Sequence, residues 1–525
     1  MKTPNKITYD LFAEGKAGRR AGQGERKTGR KGGRAAVGSV HMLGVNGISM
    51  SGLAEILLDL GYRVSGSDLT ASNRTERLAS LGAAISLGNA AEHIDPAAPP
   101  DMLVYTAAIS PDNPELLRAA ELGVPRMERA ELLGRIMAAH ERSIAVAGTH
   151  GKTTTTAMLA EIFIAEGRDP TVHIGAEYEP IGGTTRIGGR GLFLAEACEY
   201  VDSFLKFYPS IALITNVDFD HSDYFRDIAH VRASFLAFAA QAGQAVVANA
   251  DDENVMRIYR EREQTLETQA HLRKKACPRS QTCSRARTCP RARANLRWVF
   301  FGLNSEQAAF RARAIRFDEV YNASFELAMP DDEAVSVQLD VPGTHNVYNA
   351  LAAAAAARVA GCSAVAIQKG LSAFCGAKKR FEYKGTAGGV TVVDDYAHHP
   401  SEIRPALLAA KKVARDGKVV CVFQPHTYSR TKAFLSDFAE AFRDADLVVL
   451  ADIFAAREPD PGDISSAILA ERINGAGGSA VHIGAGFEEI AAYVREIARP
   501  GDLVLTMGAG LAVRVADILL AGSLA

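Results

Sequence analysis

Short apolar runs alternate with amphipathic stretches along most of this chain, beginning at Val37. SVHMLGV predicts a strand, the segment from Ser51 to Leu60 predicts a helix, and YRVSGSD predicts a second strand. DMLVYT predicts a later strand of the same unit. Strands that alternate with helices are typical of a parallel, doubly wound sheet. The first unit is therefore predicted to be a Rossmann-like α/β domain.

The same alternation starts again twice. A second unit opens at SIAVAGT and continues through the strands LFLAEA, IALITNV and QAVVANADD. A third begins near Phe374, with VTVVDDY, KVVCVFQP, LVVLADI, AVHIG and DLVLTMG as strands between helices. We therefore predict three α/β domains in series. They are a Rossmann-like domain at 37–142, a central domain of the P-loop ATPase type at 143–372, and a Rossmann-like C-terminal domain at 373–525.

Two segments break this pattern. Residues 1–36 are rich in Lys, Arg and Gly, which predicts a disordered, solvated tail. Residues 262–297 form a Cys- and Arg-rich insertion in which four potential zinc ligands lie six residues apart: His271, Cys277, Cys283 and Cys289. Structural zinc sites usually use closely spaced C-x-x-C pairs, and the excess of Arg would repel a cation. The pattern favours a flexible low-complexity insertion over a zinc site.

The composition of the 525 residues is that of an ordinary globular protein, with 47% hydrophobic and 23% charged residues. A net charge of −2 argues against a general nucleic-acid binder. The basic start lacks the apolar core of a secretory signal, and no apolar run is long enough to span a membrane. Seven cysteines do not suggest a disulfide scaffold in so long a chain. We expect a cytoplasmic monomer or homodimer that binds no membrane and no nucleic acid.

The stretch AVAGTHGKTTTT combines a strand end, two glycines, a lysine, hydroxyls and a helix start. Such a turn exposes backbone N–H groups and the positive end of a helix dipole to a triphosphate. Lys152 can neutralise the β and γ phosphates, and the Thr153 hydroxyl can reach Mg²⁺. Only two residues separate the glycines, whereas the usual P-loop has four. The sequence still predicts ATP binding by Gly148, Thr149, His150, Gly151, Lys152, Thr153 and Thr154.

A second glycine-rich turn, GVNGISMSG, follows the first predicted strand. It only partly matches a dinucleotide fingerprint, but it can hold a diphosphate at a helix N-terminus. Asp68, after the next strand, lies where a ribose-binding carboxylate is expected. A plain β–α turn is the alternative interpretation of this stretch.

Further polar groups follow predicted strands of the second and third units, where ligands collect in doubly wound sheets. In the second unit these are Glu196, Asn216, Asp220, His221 and Asp223, and a later loop, PGTHNVYNA, offers His345, Asn346 and Asn349 to a purine edge. In the third unit they are Arg380, Asp394, Asp395, Tyr396, His398, His399, His426, Ser429, Arg430 and Thr431. So dense a group of charges and imidazoles is typical of a ligand site.

Together these motifs resemble those of the Mur ligases, ATP-dependent amide-forming enzymes of peptidoglycan synthesis. The shared motifs are G-T-H-G-K-T-T, E-A-x-E, N-x-x-x-D-H, P-G-x-H-N-x-x-N-A, D-D-Y-A-H-H-P and Q-P-H-T-Y-S-R-T. The last two are typical of the branch that adds L-alanine to UDP-N-acetylmuramate. The resemblance runs from about residue 37 to 515 and excludes the tail and the insertion.

The resemblance implies a set of site residues. It implies catalytic roles for Lys152, Glu196, His221, Arg380, Asp395, His399 and Arg430, and Mg²⁺ binding by Thr153, Glu196 and His221. It implies adenine contacts for His345, Asn346 and Asn349, and UDP-sugar binding by Gly44, Asn46, Gly47, Ser49 and Asp68. Asn46 and Ser49 replace family glycines, Asn being a residue that tolerates left-handed backbone. Lys379 replaces a family arginine, and no lysine stands out as a candidate for carbamylation.

The expected reaction joins L-alanine to UDP-N-acetylmuramate through an acyl phosphate, with ATP and Mg²⁺. One alternative is the related ligase that attaches a recycled tripeptide to the same UDP-sugar. Another is a non-catalytic UDP-sugar-binding regulator, whose loop lysine should be lost although Lys152 is present. A third is a P-loop NTPase that hydrolyses nucleotide without a UDP-sugar.

Overall fold

A computed structural model describes residue 11 and residues 37–276, 296–330, 334–456 and 458–522. Apolar side chains of the predicted strands are buried between helices, as the sequence pattern requires. The architecture is α/β, with three sheets that contain parallel strands and one small antiparallel sheet. Within the described part, no helix has the length and apolar character needed to cross a membrane.

The first sheet has five parallel strands in the order β3-β2-β1-β4-β5. The strands are β1 (Ser39–Leu43), β2 (Arg63–Asp68), β3 (Ala84–Leu87), β4 (Met102–Tyr105) and β5 (Arg126–Glu128). The helices are α1 (Ile48–Asp59), α2 (Asn73–Ser80), α3 (Pro114–Glu121) and α4 (Arg129–Ala138). The strand order reverses beside β1, and ligands bind at such switch points. The glycine-rich turn after β1 therefore lies at the expected crevice.

The central sheet has the order β12-β11-β10-β6-β9-β7-β8, with only β8 antiparallel. Its strands are β6 (Ser143–Ala147), β7 (Thr171–Tyr178), β8 (Gly183–Arg186), β9 (Phe193–Glu196), β10 (Ile211–Ile214), β11 (Ala245–Asn249) and β12 (Arg297–Phe301). The helices are α5 (Lys152–Ala165), α6 (Ile228–Ala239), α7 (Glu253–Ala276), α8 (Thr344–Val359) and α9 (Ala364–Ala373). Because β9 and β10 flank β6, the groups that follow all three strands meet around the P-loop.

The sequence pattern did not reveal a three-stranded antiparallel sheet in the central unit. It consists of β13 (Arg311–Phe317), β14 (Asn322–Ala328) and β15 (Ala334–Pro342). The alanine run of α8, Ala350–Ala357, is fully buried in the same core. Its small side chains let α8 pack closely on α5, and this contact brings the start of α8 to the P-loop.

The third sheet has the order β16-β17-β21-β18-β19-β20, with only β16 antiparallel. Its strands are β16 (Glu382–Ala387), β17 (Val390–Asp395), β18 (Val419–Phe423), β19 (Leu447–Leu450), β20 (Ala480–His482) and β21 (Leu503–Met507). The helices are α10 (Pro400–Ala414), α11 (Tyr428–Ala433), α12 (Leu435–Ala441), α13 (Ser466–Gly475), α14 (Phe487–Ile497) and α15 (Val513–Ala521). All five strands predicted for this unit are present.

Two expectations about irregular segments need correction where the structure describes them. Leu11, in the predicted solvated tail, is buried; its N–H donates to the Tyr62 hydroxyl at 3.0 Å and its carbonyl accepts from Arg135 at 2.8 Å. Helix α7 continues to Ala276, so residues 262–276 of the predicted flexible insertion are helical. Cys277, Cys283 and Cys289 of the zinc alternative, and the rest of the tail, lie outside the described residues.

Candidate active site

The P-loop connects β6 to α5 through two glycines with positive φ, Gly148 at 137° and Gly151 at 82°. A Cβ atom on Gly148 would lie 1.9 Å from the Thr215 hydroxyl oxygen, so this position requires glycine. The Lys152 ammonium donates to the carbonyls of Gly148 and Thr149 at 2.6 and 3.0 Å. The loop thus folds around its own lysine, which begins α5.

Lys152 also forms an ion pair with Glu199, at 3.0 Å between Nζ and Oε2. The Glu199 side chain is only 2% exposed. Burial alone would lower the pKa of Lys152, but the Glu199 carboxylate raises it above its ordinary value. Lys152 is therefore a fixed cation, held between the loop carbonyls and a buried carboxylate.

The residues predicted to bind Mg²⁺ line one cavity of about 560 Å³ beside Lys152. Thr153 contributes a hydroxyl, Glu196 a carboxylate at the end of β9, and His221 an imidazole. Glu196 Oε1 accepts from the Gly175 N–H at 2.6 Å, and His221 Nε2 lies 4.0 Å from Glu199 Oε1. Hydroxyl and carboxylate oxygens are ligands that Mg²⁺ prefers. The donor set therefore fits a divalent cation, with the imidazole as an additional ligand.

Among the described residues, one group of imidazoles and carboxylates has ligand atoms that all lie within 4.8 Å of one another: His150, Asp218 and His399. It does not include the predicted metal ligands. Instead it lies where the P-loop meets the third domain. There the Ser401 hydroxyl contacts both imidazoles, at 2.7 Å from His150 Nε2 and 2.6 Å from His399 Nδ1.

A second cavity, of about 240 Å³, lies beside the start of α8. The predicted purine contacts His345, Asn346 and Asn349 line it, and so do Phe301 and Tyr348. His345 Nδ1 is buried, and none of the described residues forms a hydrogen bond with it. Burial lowers the pKa of His345 to about 4. A neutral imidazole with an unpaired nitrogen can hydrogen-bond to a polar ligand.

Asn349 is also part of the contact between α8 and the P-loop. Its side-chain oxygen accepts from the Thr155 hydroxyl at 3.3 Å, and its amide donates to the Asn346 side chain at 3.0 Å. A Cβ atom on Gly151 would lie 2.4 Å from that same oxygen. Asn349 therefore supports the loop in addition to lining the cavity.

The predicted UDP-sugar residues lie together around the turn after β1. Asp68 accepts from the N–H groups of Asn46 and Thr70 at 3.0 and 3.2 Å. The left-handed residue of the turn is Gly44, with φ of 74°, and Asn46 does not have a positive φ. The tolerance of Asn for left-handed backbone, which the sequence analysis used, is therefore not needed here.

Ser49 has a different environment from the rest of this turn. Its hydroxyl contacts His173 Nε2 at 2.8 Å and accepts from Arg129 at 3.0 Å. His173 belongs to β7, so this hydroxyl lies at the contact between the first and central domains. Gly52 is in the same contact, because a Cβ there would lie 2.1 Å from the Thr185 hydroxyl.

In the third domain, Asp395 holds the loop that carries Arg380. Its carboxylate accepts from the N–H groups of Phe381 and Ala397, each at 2.7 Å. Lys379 and Phe381 have φ values of 59° and 49°, so left-handed residues flank Arg380. A residue other than glycine keeps a positive φ only where the surrounding structure stabilises that conformation. Arg380 lies over the Tyr396 ring at 5.2 Å and lines both cavities.

His399 and Arg430, predicted to contact substrate, line neither cavity in this arrangement. His399 caps α10, and Arg430 pairs with Asp220 at 2.9 Å from Nε and 2.8 Å from Nη2. Asp220 and His398, their neighbours in this part of the fold, do line the larger cavity. Direct contact of His399 and Arg430 with substrate stays a prediction; in this structure both side chains join elements of the fold.

Profiles of one family match all three units of the chain. The Mur ligase family catalytic domain matches residues 39–141, the Mur ligase middle domain matches 146–282 and 279–357, and the Mur ligase glutamate ligase domain matches 379–510. The chain belongs to the Mur ligase family. The three matched family domains correspond to the three α/β units that contain parallel sheets in this structure.

Individual relatives of this Mur ligase cover nearly its whole length. A protein of Acetivibrio thermocellus named UDP-N-acetylmuramate--L-alanine ligase is 46% identical over 92% of this chain and 95% of its own. One of the same name from Alkaliphilus metalliredigens is 44% identical over 92% and 97%. The solved UDP-N-acetylmuramate-alanine ligase of Thermotoga maritima aligns with a TM-score of 0.72 at 26% identity, covering 92% of this chain and 99% of its own.

The two cavities of this Mur ligase meet at the P-loop. His150, Gly151, Arg380 and Glu402 line both of them. The larger cavity also reaches Ile48 and Arg74 of the first domain. A ligand in the smaller cavity and one in the larger cavity would therefore come together next to Lys152, with all three domains around them.

Two carboxylates of this site were not predicted from the sequence. Glu199 pairs with Lys152, and its only sequence signal is that it is the second glutamate of AEACE. Glu402 lies 3.1 Å from His150 Nδ1 although 252 positions separate them, and its signal is its place just after DDYAHHPS. In the sequence, Glu402 has the pattern of an ordinary first-turn glutamate of a helix.

Proposed function

We propose that this Mur ligase uses ATP to join L-alanine to the carboxylate of UDP-N-acetylmuramate, with an acyl phosphate as intermediate. The observation that carries the proposal is the meeting of two cavities at the P-loop, one beside the predicted purine contacts and one open to the first domain. The names of the relatives at 46% and 44% identity support the choice of substrates. This chemistry belongs to peptidoglycan precursor synthesis in the cytoplasm.

The chemical problem is that a carboxylate is a poor electrophile at neutral pH. Phosphoryl transfer converts one carboxylate oxygen into a leaving group, and the alanine amine then attacks the acyl carbon and releases phosphate. The protein contributes positioning and charge neutralisation. Closure of the domains on the bound substrates would exclude water, which would otherwise hydrolyse the acyl phosphate.

Lys152 faces the transferred phosphoryl group in this proposal, and Arg380 approaches it from the third domain. The P-loop from Gly148 to Thr154 holds the other phosphates, with the N–H groups at the start of α5 facing them. Asp395 positions Arg380 through the two backbone contacts described above. The turn from Gly44 to Ser49 and Asp68 binds the UDP part, and His345, Asn346 and Asn349 bind the adenine.

Thr153, Glu196 and His221 would hold Mg²⁺. When bound, the ion neutralises negative charge on the phosphates.

The three sheets also support boundaries between domains near residues 142 and 372.

The pH dependence of the reaction should show an acidic limb. Burial raises the pKa of Asp395 to about 6, although Arg380 and the Ala397 N–H oppose the shift. Below pH 6 the carboxyl becomes protonated, loses its charge beside Arg380, and holds the 379–381 loop less well. We expect kcat/KM to fall below an apparent pKa near 6, measured from pH 5 to 8.

The matched control for this limb is the neighbouring carboxylate. Burial raises the pKa of Asp394 to about 6 as well, although its carboxylate accepts from the Thr506 hydroxyl. The limb should persist in Asp394→Asn and disappear in Asp395→Asn. A profile that stays flat down to pH 5 in the wild-type protein would contradict the assignment.

The experiment that tests the function measures phosphate release from ATP and Mg²⁺, with UDP-N-acetylmuramate and L-alanine added separately and together. We expect release only with both, and a product mass equal to the UDP-sugar plus alanine less one water. A murein tripeptide accepted in preference to alanine would reassign the amine. Release that is indifferent to both substrates would mean simple ATP hydrolysis and would refute the proposal.

A further inference from the structure

Glu402 occupies a central position at the contact between the central and third domains. It is the third residue of α10, and its side chain is 12% exposed. One carboxylate oxygen lies 3.1 Å from His150 Nδ1 of the P-loop and 3.9 Å from the Arg380 guanidinium. The other accepts from the His398 N–H at 3.1 Å. A single carboxylate thus contacts the P-loop and the two third-domain segments that face it.

A purely local role for Glu402 explains only part of this geometry. A glutamate in the first turn of a helix commonly accepts from a backbone N–H just before the helix, as Glu402 does from His398. Such a cap uses one oxygen and needs no partner from another domain. Here the second oxygen points to His150, so the side chain does more than cap α10.

The central domain holds the backbone of His150, and the third domain contacts its ring. Its N–H donates to the Asn216 side chain at 2.9 Å, and its carbonyl accepts from the Thr215 hydroxyl at 2.7 Å. Its ring contacts Ser401 and Glu402 of the third domain. A shift of the ring would therefore be transmitted to the backbone of the P-loop.

Charge in this cluster favours the same arrangement. Burial would lower the pKa of His150, but Glu402 and Asp218 raise it to about 9, so the ring is a cation at neutral pH. Burial opposes ionisation of Glu402, yet His398, His150 and Arg380 hold its pKa well below the usual range. Two further titratable groups face His150: the Asp220 carboxylate, which also raises the pKa of His150, and the His399 ring, whose own pKa burial lowers.

We propose that Glu402 is a positioning residue for the ligase reaction. Its carboxylate holds the P-loop through His150 of the central domain, and it holds Arg380 of the third domain. The two cavities therefore stay aligned where they meet. The inference rests on the proposed function, because it concerns the alignment of the phosphate with the acceptor carboxylate. Glu402 itself needs no contact with either substrate.

The test compares Glu402→Gln with the wild-type protein at saturating substrates. An alignment error of about 1 Å can lower a rate by about 100-fold, and we expect kcat to fall by that order. Asn216 and Thr215 still hold the P-loop backbone in this variant, so the Kd of ATP should change by about threefold or less. The double variant His150→Gln/Glu402→Gln should be no slower than the slower single variant, because both changes break the same contact.

Glu115→Gln is the matched control for loss of a buried carboxylate. Glu115 is fully buried in the first domain between two imidazoles, at 2.7 Å from His41 and 3.2 Å from His93. Glu115→Gln should lower Tm without the fall in kcat. If Glu402→Gln does not fold, Glu402→Asp makes the same comparison, since it keeps the charge but loses reach.

The outcomes separate this inference from the proposed function. A wild-type protein that forms no product refutes the function. An active wild-type protein with Glu402→Gln within about twofold of its kcat overturns the positioning role alone. The positioning role is also overturned if the fall in kcat of the double variant equals the product of the two single falls, because Glu402 would then act independently of His150.

Discussion

Lys152→Ala should lower kcat by on the order of 1,000-fold or more, because the variant loses the cation that we propose faces the transferred phosphoryl group. The structure adds a second consequence that the motif alone does not show. Glu199 would remain 2% exposed without its partner. Removing one member of a buried ion pair leaves the other charge unpaired and lowers the free energy of unfolding by about 3–5 kcal/mol. His221, 4.0 Å from Glu199, can offset part of that cost.

The control separates catalysis from stability. Lys152→Ala/Glu199→Gln removes both charges, so we expect Tm to recover towards the wild-type value while kcat stays low. Thermal unfolding and phosphate release measured on the same samples make the comparison. Turnover near the wild-type rate in Lys152→Ala would refute the P-loop assignment.

Arg430→Ala should destabilise the protein by about 3–5 kcal/mol and also abolish most activity, because it leaves Asp220 buried and unpaired between the central and third domains. Both side chains of the pair are 8% exposed. Arg430 also donates to the His426 carbonyl at 2.9 Å. Lysine lacks the planar, forked guanidinium that makes these contacts, so the stability and activity of Arg430→Lys should remain low.

Arg430→Ala/Asp220→Asn is the corresponding control, and it should recover much of the lost Tm. Burial would raise the pKa of Asp220, but Arg430 and nearby imidazoles hold it well below its ordinary value. The pair therefore contributes its full stability above the unfolded pKa of about 3.9, and this is lost only as pH falls through the lower folded pKa. The difference in Tm between wild type and Arg430→Ala should be constant from pH 6 to 8. A difference that vanishes at pH 7 would show that the pair does not stabilise the contact.

Local sequence was sufficient for the elements that carry phosphate chemistry. The local backbone of the P-loop follows from its own residues. A β-branched run favours the strand, the two glycines permit the positive φ values of the turn, and the helix begins at the lysine. Parallel strands in each of the three units, such as β1, β6 and β17, were predicted for the same reason, since a buried parallel strand is a short apolar run between helices. The antiparallel sheet of β13, β14 and β15 was not predicted. The family motifs then placed Arg380, Glu196 and His221 at one site, and all three line the same cavity.

Other features depend on the tertiary structure, because they arise from contacts between distant residues. No local pattern shows that β9 and β10 flank β6, which brings Glu196 and Asn216 to the loop. Lys152 pairs with Glu199, Ser49 contacts His173, and Arg430 pairs with Asp220, and none of these partners is a sequence neighbour. Sequence by itself determined the residue types and their places at strand ends. Only the packing of three domains decided which of these groups line the cavities and which hold the domains together, because a charge buried in a domain contact must be satisfied by a partner there.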